Sequence, residues 1–133
     1  MSDVVGRIER RESVSDQELF DFIVGRVIAQ GGPAVLNGTC QYRAPGGLKC
    51  AVGHIIPDSL YRKNMEGANL THIVNKDLGL TCYHMLRDLQ KAHDHAGEDH
   101  ERGNGDFVID FTSRAKDVAH IYGLKFNHGG EKE

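Results

Sequence analysis

The chain has 133 residues, of which 39% are hydrophobic and 26% are charged, a composition typical of one globular domain with its own core. The net charge of -3 gives no general attraction to phosphate backbones, so nucleic acid is not an expected partner. The apolar runs are too short to cross a bilayer, the N-terminus lacks a secretory signal, and three cysteines do not make a disulfide framework. These features predict one cytoplasmic domain over residues 1–133, without a membrane segment.

The first predicted element is a helix that begins after Ser15. Ser15 and Glu18 have the spacing of a capping box, and apolar residues then recur at helical spacing as far as Gly31. We therefore predict a helix over residues 16–30. The preceding residues 1–14 are polar and weakly periodic, which predicts a loose lead-in.

A β-hairpin is predicted over residues 39–52. Pro45-Gly46-Gly47 separates two β-prone runs, and these residue types are typical of a hairpin loop. A three-residue loop, with Gly47 in the left-handed conformation, pairs Tyr42 with Cys50 and brings the apolar residues of both strands to one face. We prefer this register, because a two-residue loop would put the two apolar sets on opposite faces.

This register defines an inner and an outer face of the hairpin. Arg43 and Lys49 lie on the outer face. Residues 34–36 are an alternative third strand, because an isolated two-stranded ribbon is marginal, and Asn37-Gly38 marks a turn ahead of the hairpin. The predicted inner face consists of Cys40, Tyr42, Leu48, Cys50 and Val52.

The second half of the chain is predicted to be helical, with a polar and frayed tail over residues 125–133. The predicted helices are short ones after Pro57-Asp58 and after Asn69, a longer one over about residues 81–96 that ends at Gly97, and a final one over about residues 106–122. The expected fold class is α+β and predominantly α-helical, with four to five helices packed on the one small hairpin.

Four basic residues near the hairpin are candidates for binding a partner: Arg43, Lys49, Arg62 and Lys63. They would form a locally basic patch on a chain whose net charge is negative. The sequence alone does not show whether these four side chains lie close together in the fold.

Several short motifs stand in a fixed order between residues 40 and 95. They are Tyr42-Arg43-x-Pro45-x-Gly47-x-Lys49-Cys50-Ala51-x-Gly53, Ile56-Pro57-Asp58, Met65-Glu66-Gly67 and Leu89-Gln90-x-x-His93-Asp94. This order resembles a group of small uncharacterised proteins encoded by bacteriophages and bacterial genomes. The group has no known activity, so the resemblance implies a context, namely a phage or prophage accessory protein inside a bacterial cell. It also implies that the hairpin and residues 89–94 belong to one site or one structural unit.

The simplest interpretation of the motif side chains is structural. Cysteine is among the most buried residue types, so Cys40, Cys50 and Cys82 are expected in the core. His93 is in helical phase with the core-facing Cys82, Leu86 and Leu89. Its ring nitrogens would then bond to a backbone carbonyl or to Tyr42.

A second interpretation is a zinc site formed by Cys40, Cys50, His54 and His93, with Cys82 as a further candidate ligand. The chain has no Cys-x-x-Cys pair, so the pattern is not diagnostic of zinc. A separate cluster in the long helix also carries metal-ligating groups, but its helical phase sends them in different directions. This cluster consists of His93, Asp94, His95, Glu98, Asp99 and His100.

A third interpretation is a cysteine- and histidine-dependent hydrolase or transferase. Cys50 would be the nucleophile, His93 the base and Asp94 the residue that orients the imidazole. Lys49 and Arg43 would favour the thiolate. Successive helix residues point about 100° apart, so Asp94 is expected to be poorly placed to orient His93.

Because no catalytic constellation is complete, we favour a function without catalysis. The expected function is that of an accessory protein that binds a bacterial host protein, such as a component of host defence. No cofactor is expected unless the zinc interpretation holds, and self-association stays open.

Overall fold

The computed structural model describes residues 3–36, 39–103 and 105–128. It has the predicted α+β and mostly helical fold. The helices are α1 (Val4–Glu9), α2 (Asp16–Gln30), α3 (Leu70–His72), α4 (Tyr83–Glu101) and α5 (Phe107–Ile121), and the strands are β1 (Val35–Leu36), β2 (Thr39–Cys40), β3 (Arg43–Ala44) and β4 (Leu48–Lys49). Single turns of 3-10 helix span Pro45–Gly47, Val52–Ile55 and Lys63–Met65, and a π-helical turn spans Ile73–Asp77.

Helix α2 forms over the predicted residues 16–30. The Ser15 hydroxyl accepts a hydrogen bond from the Glu18 amide, and the Glu18 carboxylate accepts one from the Ser15 amide, which completes the capping box. Gly31 ends the helix with φ of 81°, a conformation that glycine adopts without strain.

The strands form two small antiparallel sheets instead of the single predicted hairpin. β3 and β4 pair Arg43 with Lys49 across a loop of three residues, which confirms the predicted register. The Tyr42 carbonyl also accepts a hydrogen bond from the Cys50 amide at 3.3 Å. We refer to residues 42–50 as the hairpin.

The predicted inner face is confirmed for Tyr42, Leu48 and Cys50 and was wrong for Cys40 and Val52. Cys40 belongs to the other sheet, where it pairs with Val35, and Val52 lies in the 3-10 turn that follows the hairpin. The side chains that pack together beneath the hairpin are Ala34, Tyr42, Ala44, Leu48 and Cys50. The alternative third strand over 34–36 is present in part as β1, and the predicted Asn37-Gly38 turn lies outside the described residues.

Both ends of the described chain are more ordered than predicted. The lead-in contains α1, because Val4 and Ile8 share one face of the helix and are fully buried. At the other end, Phe126 packs edge-on against Phe20 with ring centroids 6.2 Å apart. The predicted frayed tail is therefore packed over residues 125–128, while residues 129–133 lie outside the described part of the chain.

Helix α4 runs four residues past the predicted stop at Gly97. Gly97 is buried inside the helix, where an added Cβ would lie 3.0 Å from the Cβ of Pro33. The glycine therefore permits close packing and does not end the helix. After Pro57 the chain makes a single turn, closed by the Leu60 and Tyr61 amides, in place of the short helix that we predicted.

Helix α5 agrees with the prediction. The Asp106 carboxylate caps it by accepting a hydrogen bond from the Ile109 amide at 3.0 Å. Helices α4 and α5 pack against each other, and α2 packs against α5. The core between them includes Ile8, Phe20, Ile23, Ile55, Leu86 and Phe111. No helix in the described ranges combines the length and apolar character needed to cross a lipid bilayer.

Candidate functional site

A cleft of about 690 Å³ opens between the strands and α4. It contains Glu66, Gln90 and Asp94 of the sequence motifs, together with two tyrosines and two basic residues. Its lining includes Cys40, Tyr42, Glu66, Leu70, Tyr83, Arg87, Gln90, Lys91 and Asp94. We refer to this feature as the cleft.

Glu66 connects the hairpin to the segment that follows it. Its carboxylate accepts hydrogen bonds from the Tyr42 amide at 2.8 Å and the Arg43 amide at 3.0 Å. The Tyr61 hydroxyl donates a third bond at 2.7 Å. Burial and the bond to Glu66 together raise the pKa of Tyr61 to about 12, so the hydroxyl keeps its proton and donates. Glu66 therefore satisfies two backbone amides that no strand partner takes up.

Gln90 connects the hairpin to α4. Its Oε1 accepts a hydrogen bond from the Val52 amide at 2.9 Å, and its Nε2 donates to Asp94 Oδ1 at 3.0 Å. The motif around residues 42–53 and the motif at residues 89–94 thus form one bonded unit. Gly53 lets the turn after the hairpin pack closely against Tyr42, because a Cβ at position 53 would overlap the carbonyl oxygen of Tyr42.

His93 is fully buried, and both of its ring nitrogens have partners. Nε2 accepts a hydrogen bond from the Ala34 amide at 3.3 Å, so the proton of the neutral ring is on Nδ1. Nδ1 lies 3.0 Å from Asp94 Oδ1 and donates to it. The expected partners, a backbone carbonyl or Tyr42, were wrong, and so was the expectation that Asp94 is poorly placed to orient His93. The carboxylate reaches the ring edge of the preceding residue despite the angle between the two positions.

Cys40 completes a group around the same carboxylate. Burial, together with the negative charge of Asp94, raises the pKa of its thiol to about 12. The thiol is therefore protonated at neutral pH. We refer to Cys40, Gln90, His93 and Asp94 as the Asp94 cluster, in which Gln90 and His93 donate to one carboxylate and the Cys40 sulfur lies within 4.8 Å of it.

Cys50 is almost fully buried, with 1% of its surface exposed. Its sulfur accepts a hydrogen bond from the Gly53 amide at 3.3 Å. Burial raises the pKa of the thiol strongly, and the bond from Gly53 offsets only part of that rise. Cys50 is therefore a neutral thiol at physiological pH.

The predicted catalytic residues meet only in part. Asp94 holds His93 as a triad would require, but Nε2 of His93 is occupied by the Ala34 amide. No ring nitrogen is free to take a proton from Cys50, whose sulfur is bonded to Gly53. In this arrangement the histidine and the carboxylate hold the strands against α4.

The predicted zinc ligands also meet only in part. Ligand atoms of Cys40, His93 and Asp94 lie within 4.8 Å of one another, and within the described residues neither Cys50 nor His54 joins that group. A neutral histidine that binds zinc through Nδ1 carries its proton on Nε2. Here the Ala34 amide points its own proton at Nε2. Zinc would therefore have to displace that bond and also deprotonate a thiol with a raised pKa.

The second metal-ligating set spreads apart, as its helical phase predicts. His95 lies 3.8 Å from Glu98, whereas Asp99 turns towards Arg114 at 3.2 Å. His93 and Asp94 belong to the Asp94 cluster. The set therefore has no common centre in the described structure.

The predicted basic patch does not present four free cations. Arg43 donates to the Ile56 carbonyl at 2.9 Å and to Asp58 at 2.7 Å, and its guanidinium lies 4.4 Å from the centre of the Tyr61 ring. Arg62 lies 3.5 Å from Asp77. Lys63 is exposed on a 3-10 turn, and Lys49 lines a second cavity. The expectation that Arg43 is exposed on the outer face was wrong, because it packs against Ile56, Asp58 and Tyr61.

Sequence reasoning missed the structural roles of Glu66 and Gln90. Both stand in the motifs that carry the resemblance, but their bonding partners are backbone amides of distant segments. No sequence pattern identifies such partners. No protein-family model, curated protein or solved structure matches the chain, so its function has to be inferred from the geometry of the residues themselves.

Proposed function

We propose that the chain is a small cytoplasmic accessory protein of bacteriophage type that binds a protein of the bacterial host and carries out no catalysis. A component of host defence is a partner that fits this context. The proposal draws on the resemblance of residues 40–95 to phage-encoded proteins and on the bonding of the motif side chains.

The observation that carries the proposal is the saturation of the Asp94 cluster. Both nitrogens of His93 are engaged, and the thiols of Cys40 and Cys50 have raised pKa values. A nucleophilic cysteine needs a lowered pKa or an adjacent free base. The hydrolase or transferase alternative lacks both, so these residues are better explained as the scaffold of a binding surface.

The cleft is the surface that we assign to the partner. Tyr42 and Tyr83 are half-buried in its walls, and the Arg87 guanidinium lies 6.0 Å from the centre of the Tyr83 ring. Tyrosine and arginine are enriched among the residues that dominate binding energy at protein interfaces. Lys91 is exposed at the edge of the cleft and supplies a polar rim.

The proposal is tested by photo-crosslinking in the bacterial host. A photoreactive amino acid replaces Lys91, which lines the cleft, and in a matched control it replaces Lys116, an exposed lysine of α5. We expect one host protein to be captured from position 91 and not from position 116. We expect Tyr83→Ala in the position-91 protein to reduce the yield at least tenfold.

Two results would contradict the proposal. Equal capture from both positions would mean that the cleft is not the contact surface. A covalent dimer of the chain as the main product from position 91 would assign the surface to self-association instead of a host protein.

A further inference from the structure

A second cavity of about 580 Å³ lies between α2 and the turn of the hairpin. No described residue lines both this cavity and the cleft. Its lining includes Phe22, Arg26, Gly46, Lys49, His54 and Ile56. We refer to it as the α2 cavity, and none of the bonds of the Asp94 cluster involves it.

The charge of the α2 cavity is positive on a chain that is negative overall. Arg26 and Lys49 line it and form no ion pair with any described residue, whereas six other arginines do. The single acidic residue among the described lining is Asp58, whose carboxylate accepts a bond from Arg43 at 2.7 Å. Two cations therefore face the cavity without a carboxylate of their own.

His54 adds a polar group without adding a charge. Its Nε2 is buried and has no hydrogen-bond partner in the described structure. Burial, together with the positive charges of Lys49 and Arg26, lowers the pKa of His54 to about 4. A neutral imidazole beside two cations does not add to their mutual repulsion.

The remaining walls are apolar apart from Gln30, whose side-chain amide is hydrogen-bonded to the backbone of Lys49. Phe22 is half-buried beneath the Arg26 guanidinium, which lies 5.1 Å from the centre of its ring, and Ile56 is buried. Gly46 and Gly47 leave the rim open, because a Cβ at either position would contact nothing within 4 Å. The volume is within the range of about 300–1,000 Å³ that small-molecule sites occupy.

We propose that the α2 cavity binds a small phosphomonoester, with its phosphate between Arg26 and Lys49 and its organic part against Phe22. A phosphomonoester carries a charge of about -1.5 to -2 at neutral pH, which two cations match better than they match a monoanionic carboxylate. The planar guanidinium of Arg26 suits the paired oxygens of a phosphate. This inference goes beyond the proposed function and does not depend on it.

The test uses phenyl phosphate as the probe, with inorganic phosphate and benzoate as comparisons. Binding is followed by amide and imidazole NMR shifts of the intact chain at low salt. We expect phenyl phosphate to shift the signals of Gly46, Gly47, Lys49 and His54. We expect it to bind at least tenfold more tightly than benzoate and more tightly than inorganic phosphate.

Charge-removing variants locate the phosphate. Arg26→Gln and Lys49→Gln should each weaken phenyl phosphate at least tenfold. The matched controls Arg102→Gln and Lys76→Gln, at exposed residues outside the cavity lining, should leave binding within twofold. Circular dichroism checks that all four variants fold.

A second readout is the titration of His54. A bound dianion offsets the charges of Lys49 and Arg26, so it should raise the pKa of His54. The proposal is overturned by millimolar phenyl phosphate that shifts none of the cavity signals, by equal affinity for benzoate, or by binding that neither Arg26→Gln nor Lys49→Gln weakens.

Discussion

Glu66→Ala should destabilise the fold more than the removal of any other carboxylate in the motifs that is at least partly exposed. The side chain accepts hydrogen bonds from the Tyr42 and Arg43 amides and from the Tyr61 hydroxyl. Alanine removes all three acceptors at once. The tyrosine hydroxyl can turn to water, but the two backbone amides are fixed by the hairpin and lose their partner.

The size of the effect follows from the two amides. A hydrogen bond to a charged group contributes about 1.5–3 kcal/mol to stability, so the loss of two should lower the free energy of unfolding of Glu66→Ala by about 3–6 kcal/mol. Unfolding entropy is about 2.1 cal/mol/K per residue, and the chain has 133 residues. The loss then corresponds to a fall in Tm of about 10 °C or more. Glu66→Gln keeps one carbonyl oxygen and should lose about half as much.

The assay is urea unfolding followed by circular dichroism, with the same slope for each variant. Glu101→Ala is the matched control, because Glu101 is exposed in the last turn of α4, and it should change stability by less than about 0.5 kcal/mol. A loss below about 1 kcal/mol for Glu66→Ala would refute the idea that this carboxylate holds the hairpin in place.

Three further predictions test other parts of the structure. Gly53→Ala should destabilise by about 3 kcal/mol because its Cβ would overlap the Tyr42 carbonyl, whereas Gly32→Ala, which meets nothing within 4 Å, should be neutral in the same unfolding assay. Because burial lowers the pKa of His54 from 6.5 to about 4, stability should fall as pH drops from 6.5 towards 4, and His54→Gln should flatten that slope; an unchanged slope would be evidence against the buried neutral imidazole. Native mass spectrometry should show the mass of the polypeptide alone before and after a chelator, and one bound zinc would contradict the hydrogen bonding assigned to the Asp94 cluster.

The elements that the sequence predicts well have strong local signals. The capping box at Ser15 and the glycines at 46 and 47 specify a helix start and a three-residue loop without help from the rest of the fold. The final helix has an aspartate cap and one apolar face, so its bounds can also be predicted from the local sequence.

The errors arise where tertiary contacts decide the structure. Gly97 reads as a helix stop, but Pro33 packs against it from a distant segment and α4 continues. The lead-in is too short to show a period, and it becomes a helix because Val4 and Ile8 reach the core. Tertiary packing of an apolar face, and not local propensity, stabilises most short helices.

The candidate site was predicted as a set of residue types and not as a bonding pattern. The sequence suggests that Cys50, His93 and Asp94 form one group. In the fold, however, His93 accepts a hydrogen bond from the Ala34 amide and Cys50 accepts one from the Gly53 amide. A sequence pattern does not show which backbone amide a side chain will bind. Arg26 was missed for a related reason, because the sequence does not show that this exposed helical arginine lines a cavity.

The most direct test of the central claim compares Cys50→Ala with Tyr83→Ala in the bacterial host. The measured quantity is the effect on host growth of producing each variant, at equal amounts of folded protein. A non-catalytic binding protein predicts that Cys50→Ala keeps the effect of the natural chain and that Tyr83→Ala, in the wall of the cleft, loses most of it. The opposite pattern, with the effect lost in a folded Cys50→Ala protein and kept in Tyr83→Ala, would contradict the account and indicate a cysteine enzyme.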